Sequence, residues 1–206
     1  MARAIPRILI TGFGRFPGAP ANPSAPIAHA LAKARRPALA PTLRTAMVLP
    51  TTWADAAAFA ATLDGIAPDI VLMIGLASRR RHISIELRGL NATGRFPDAT
   101  RRRPLERQLQ KGGPASVPCA ASPAPLLHAL RQTGVPAKLS RDAGRYVCNA
   151  LAYRAYQWAA VGHGPRLAVF VHIPRPSPHL PASAITRAIE ALLVALVSQF
   201  TAASAR

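Results

Sequence analysis

Two stretches of this chain are almost continuously apolar, and they constrain its fold most. Asp69 to Ile74 reads DIVLMI, and Leu167 to Ile173 reads LAVFVHI before Pro174 stops it. A half-exposed strand alternates apolar with polar residues. These runs do not, so each is expected to be a strand covered on both faces. Segments with helical spacing lie around them. The pattern implies a single-domain three-layer α/β/α sandwich, residues 1–206, around a mostly parallel, mixed, twisted sheet.

The other segments fit that plan. Arg7 to Thr11 is a strand, followed by the loop GFGRFPG from Gly12 to Gly18. Aromatics occupy the middle of that loop, so it is not a dinucleotide fingerprint. Asn22-Pro-Ser24 opens a helix, with Ser24 as its cap and Pro26 in its first turn, running to about Arg36. Leu43 to Leu49 is a strand and Trp53 to Ile66 a helix. His82 to Leu90 alternates as one strand, with His82, Ser84, Glu86 and Arg88 on one face. Arg95 to Ser122 is long and loop-rich, as functional segments often are. Helices are expected over Pro125–Gly134 and Ala150–Ala160, with an extended piece at Pro136–Leu139 between them. A closing helix runs from Ala182 to about Ala203, with Ile185, Ile189, Leu192, Leu193, Leu196 and Phe200 as its apolar stripe.

Composition narrows the partners. The net charge is +18, from 23 Arg and 3 Lys against 5 Asp and 3 Glu. Such a surplus favours polyanions. The arginines are scattered, however, apart from 79–81 and 101–103, and no basic helix face appears. Contact with nucleic acid is therefore expected to be non-specific and salt-sensitive. No uncharged apolar run reaches about 18 residues, so no membrane span is expected. The opening MARAIPRILITG reads as a first strand and not as a signal peptide. Two cysteines suit a reducing, cytoplasmic compartment, where a Cys119–Cys148 disulfide is disfavoured.

The candidate chemistry centres on Cys148, in SRDAGRYVCN immediately before a helical segment. Unpaired N–H groups at a helix start favour thiolate over thiol. His172 lies 24 residues on, at the end of an apolar strand, where open α/β sheets place their sites. Glu86 could orient an imidazole. Each also has a plainer reading: a small buried cysteine, a hydrogen-bonded structural histidine, a glutamate paired with one of many arginines.

Read together, these three residues resemble the pyroglutamyl peptidase I (pyrrolidone-carboxylate peptidase) family of cysteine peptidases. LITGFGRFPGAPANPS (9–24), PDIVLMIGLA through HISIE (68–86), AGRYVCN (143–149) and FVHIP (170–174) carry the resemblance, in order. RFPD (95–98) and KGGPAS (111–116) agree with weaker family features. The resemblance implies release of an N-terminal pyroglutamyl residue from short peptides through a thioester, without metal or cofactor. It makes Cys148 the nucleophile, His172 the general base and acid, and Glu86 the residue that orients the imidazole. The Cys148 backbone N–H would stabilise the oxyanion, with Arg95 near it. Phe13, Phe16, Tyr146 and Val147 would surround the flat lactam ring, and Asn22, Leu76 and Phe96 would complete the substrate site. A homodimer or homotetramer is also implied.

The departures from the family pattern fall in the substrate loops. Gly75-Leu-Ala-Ser-Arg-Arg80 stands where the family has Gly-Gln-Ala-Gly-Gly-Arg. Leu76 removes a polar contact, and Ser78-Arg79 closes off backbone with φ > 0 if the loop needs it. Leu87 stands where the family has Arg, with Arg88 one place later. Pro17 replaces the first glycine of a Gly-Gly pair. An intact triad with looser discrimination among five-membered acyl groups is expected. A divergent relative with altered acyl specificity, or a basic RNA- or surface-binding protein on the same fold, stays open.

Overall fold

The strands that flank the two apolar runs sort their side chains to opposite faces, and helices cover both. In the computed structural model, which describes residues 5–16, 19–161 and 165–205, the chain runs β1 (Arg7–Phe13), α1 (Ser24–Ala32), a 3-10 turn (Pro37–Leu39), β2 (Leu43–Leu49), α2 (Trp53–Ile66), β3 (Ile70–Leu76), β4 (Ile83–Glu86), β5 (Arg88–Leu90), β6 (Ser116–Pro118), α3 (Pro123–Arg131), β7 (Ala137–Ser140), α4 (Val147–Val161), β8 (Leu167–Ile173) and α5 (Ala182–Ala203).

Among these residues, six strands form one sheet in the order β2-β1-β3-β8-β4-β7. β2, β1, β3 and β8 are parallel, β4 runs antiparallel to β8, and β7 is parallel to β4. Ile8, Ile10, Leu72, Ile74, Val169 and Val171 enter one core beneath α1, α3 and α5. Leu9, Val71, Met73, Ala168 and Phe170 enter the other, beneath α2 and α4. This is the expected three-layer sandwich with a mixed sheet. α2 is capped by Thr52, whose hydroxyl accepts from the Asp55 N–H at 3.1 Å, and it ends at Ala67 with φ 50°. α5 is long and apolar enough to cross a membrane by length and composition. Here its stripe from Ile185 to Phe200 is buried and covers the sheet.

Several boundaries differ from the sequence reading. Ser24 does not cap α1; it lies inside the helix, and its hydroxyl accepts from the Phe13 N–H at 2.8 Å, tying α1 to the end of β1. α1 stops at Ala32, α3 is shifted towards its N-terminus, and α4 begins at Val147. The expected single strand over 82–90 breaks at Leu87. The Leu87 N–H donates to Ser140 O at 2.7 Å, and its carbonyl accepts from Cys119 N–H at 2.9 Å. All four residues of β4 are buried. Arg88 must reach water, so the chain leaves the sheet and pairs with β6 over α4. Gly89 allows that approach, because a Cβ there would lie 2.4 Å from the Tyr153 backbone. Pro17 and Gly18 lie outside the described residues.

Candidate active site

His172 is the next-to-last residue of β8. It shares a face with Phe170, so its ring turns to the α4 side, 4.9 Å from the Phe170 ring. β4 runs back along β8 and sets Ser84 opposite His172 and Glu86 opposite Phe170. Glu86 Oε1 and His172 Nδ1 are 2.8 Å apart. The same oxygen accepts from Arg80 Nη1 at 2.6 Å, while Arg80 Nη2 donates to Asp142 O at 2.8 Å. Glu86 is 0% exposed and His172 5%. Burial pushes the Glu86 carboxyl up. The hydrogen bond and charge of His172, with Ser140 and Arg80, outweigh that and hold it below the usual carboxylate range. An ionised carboxylate can only accept, so Nδ1 carries the proton and Nε2 is left as the basic nitrogen.

Cys148 is the second residue of α4, as the expected position at a helix start requires. Its thiol is half-buried and unpaired. It lies against Gly75: a Cβ there would be 3.1 Å from Sγ and 2.7 Å from the Phe170 ring. Gly75 pairs with His172 across β3 and β8. Thiol, imidazole and carboxylate thus meet at the C-terminal ends of the two central strands. The helix start is opposed here by burial. Burial pushes the Cys148 thiol up to about 12, the Glu86 charge adds to this, and the cysteine's own backbone N–H and Arg80 only partly oppose it. The thiolate therefore needs an immediate proton acceptor. Cys119 is likewise pushed by burial up to about 11, and its thiol donates to Ala168 O at 3.3 Å.

The residues around Cys148 are fixed from several directions. Asn149 accepts from Leu90 N–H at 2.8 Å and donates to Leu90 O and Ala92 O at 2.9 and 3.0 Å. The Tyr146 hydroxyl donates to Pro97 O at 3.0 Å, and its ring packs edge-on against Trp53 at 5.5 Å. Trp53 N–H donates to buried Asp98, which also accepts from Thr100 and Arg102 N–H groups. Tyr156 donates to the Glu86 carbonyl at 2.7 Å and accepts from Phe170 N–H at 2.9 Å, clamping β4 to β8.

The remaining candidates divide. Phe13 is buried with its ring 6.5 Å from Phe170. Phe16 is half-buried, and Asn22 braces its loop by donating to Gly14 O at 3.2 Å. Val147 is buried in the α2–α4 core. Arg95 and Phe96 are exposed in a neighbouring groove. Leu76 pairs with Ile173, and strand alternation puts it with Ile74 on the face away from the thiol. Its replacement of Gln therefore does not alter the wall around Cys148. No described residue of 75–81 has positive φ, so Ser78 and Arg79 meet no such restriction. Arg80, Trp53 and Tyr156 were not singled out by sequence reasoning. Only Arg80 carried a signal, as the arginine of the Gly75–Arg80 stretch.

The chain is similar along nearly its whole length to known proteins. The family model described as pyroglutamyl peptidase matches residues 6–200. The pyrrolidone-carboxylate peptidase of Streptomyces coelicolor is 32% identical over 201 residues, covering 92% of this chain and 91% of the relative. That of Deinococcus radiodurans is 30% identical over 210 residues, covering 95% and 96%. Among solved structures, pyroglutamyl peptidase I from Bacillus amyloliquefaciens matches with a TM-score of 0.85 at 26% identity, over 96% of this chain and 97% of that one. A mutant pyrrolidone carboxyl peptidase from Pyrococcus furiosus matches with a TM-score of 0.84 at 25% identity, over 94% and 99%.

Proposed function

The chain belongs to the pyroglutamyl peptidase family, and from that premise we propose that it is a cysteine peptidase removing N-terminal pyroglutamyl residues from short peptides. The observation that carries this is the placement of Cys148 Sγ at Gly75, beside a His172 whose Nδ1 is held by Glu86. His172 Nε2 takes the Sγ proton as sulfur attacks the pyroglutamyl carbonyl carbon. General-base transfer suits a thiol that burial pushes up. The developing oxyanion is stabilised by backbone N–H groups at the start of α4, Cys148 among them. The imidazolium then protonates the departing amine, and the C–N bond breaks to leave a thioester. Water, giving its proton to Nε2, attacks the thioester; the C–S bond breaks, pyroglutamate leaves and the thiol is restored. Glu86 stabilises the transient imidazolium, and Arg80 holds Glu86. The two unpaired cysteines suit a reducing compartment such as the cytoplasm.

The test is hydrolysis of a fluorogenic pyroglutamyl amide. Turnover is expected in the wild type and is lost in Cys148→Ser. A folded wild type without turnover, or a Cys148→Ser variant that retains it, overturns the reading.

A further inference from the structure

A second feature lies beside the nucleophile and has no role in the steps above. A groove of about 640 Å³ is lined by Arg95, Arg103, Arg107 and Arg145, with one carboxylate, Glu106, among them. Among the described residues none of these four guanidinium groups forms an ion pair. Phe96 and Leu105 stand in the same groove, 73% and 100% exposed. Its walls are fixed to the nucleophile segment. Gly94 N–H donates to Arg145 O, Asn149 holds Ala92, and Tyr146 holds Pro97. Thr93 N–H donates to Arg107 O, joining the two walls to each other.

A pyroglutamyl group is a neutral lactam and brings no charge to pair with four cations. What varies in the substrate, and carries charge, is the peptide that leaves with the amine. We infer that this groove receives the leaving peptide and selects acidic ones, with Asp or Glu in the first positions after pyroglutamate; the inference rests on the peptidase reading. The guanidinium forks pair with carboxylates, and Phe96 and Leu105 offer apolar contact to the peptide between them. Each exposed pair contributes about two- to fivefold, so two together give roughly tenfold in kcat/KM at low salt. Salt near 0.5 M should remove most of it, because the screening length there is only a few ångströms, about 4 Å.

The experiment compares two C-terminally amidated peptides, pyroglutamyl-Glu-Glu-Ala and pyroglutamyl-Gln-Gln-Ala. Their kcat/KM values are measured at about 20 mM and about 500 mM salt. The wild type should favour the acidic peptide roughly tenfold at low salt and hardly at all at high salt. Arg103→Gln/Arg107→Gln should bring the ratio to within about twofold, leaving the neutral peptide and the fluorogenic amide unchanged. Equal cleavage of both peptides by the wild type would overturn this inference alone. So would a preference that survives the double substitution. Failure to cleave either peptide would overturn the peptidase reading, and this inference with it.

Discussion

At Cys148, desolvation and base catalysis act in opposite directions on one proton. A cysteine at a helix start is often written as a thiolate, since the helix end favours negative charge by about 0.3–1 kcal/mol. Here burial pushes the thiol up to about 12, so the helix end is the weaker effect. Reactivity at neutral pH must then come from His172. Iodoacetamide should therefore alkylate Cys148 faster than Cys119 at about pH 7.5 in the wild type. In His172→Ala the rate at Cys148 should fall to about that of Cys119, whose thiol is pushed up to about 11 and hydrogen-bonded to Ala168. Peptide mapping of the labelled protein reads both sites at once. Unchanged labelling of Cys148 in His172→Ala would show that the helix end, and not the imidazole, activates the thiol.

At the element scale, α4 carries the nucleophile and also organises what surrounds it. Tyr156 joins the strands that hold Glu86 and His172, and Asn149 joins the helix start to β5 and the segment after it. Asn149→Ala leaves the Leu90 N–H and two carbonyls without their side-chain partner. Removing one side of a buried hydrogen-bond set costs about 1–3 kcal/mol for each group left unpaired. Partial access of water to Leu90 and Ala92 should keep the total near 2–3 kcal/mol. Urea unfolding should show a lower midpoint of that size at unchanged slope. Activity should also fall, because the turn that aims Cys148 loosens. A variant as stable and as active as the wild type would show that β5 is held by its pairing with β6 and by Gly89 packing on Tyr153, without Asn149.

For the whole molecule, the buried acids set how stability depends on pH. Cys119 and Cys148 are pushed up by burial, as are Tyr146, Tyr153 and Tyr156. The folded state therefore keeps protons that the unfolded chain releases from about pH 9 upward. Above that point the unfolded state binds fewer protons, so stability falls as pH rises through the folded values. Glu86 and Asp98 act at the other end. Burial raises both, but hydrogen bonds win and hold them low, so their contribution is present above the ordinary carboxylate range and is lost as pH falls. The net charge of +18 grows as carboxylates are protonated and adds to the acid loss. Thermal midpoints should be highest near neutral pH and drop on both sides. Between about pH 9 and pH 11 the drop should be shallower in Cys119→Ala than in the wild type. Parallel wild-type and variant curves over that range would remove Cys119 as a source of alkaline instability.

Local pattern was enough for much of this protein. DIVLMI and LAVFVHI read as covered strands, and β2, α2 and α5 lie where spacing put them, because each is decided by residues adjacent in the chain. The short motifs also marked Cys148, His172 and Glu86 as residues to consider together. Tertiary structure decided what those residues do to one another. Local alternation did not reveal that β4 turns antiparallel to β8, since strand direction depends on which neighbour it meets. That reversal is what brings Glu86 to His172. Nor did sequence show that Arg80 shares the Glu86 oxygen, that Leu76 faces away from the thiol, or that burial opposes the helix start at Cys148. Register, burial and charge proximity arise between segments far apart in sequence, and the cost of desolvating a group is set by everything that finally covers it.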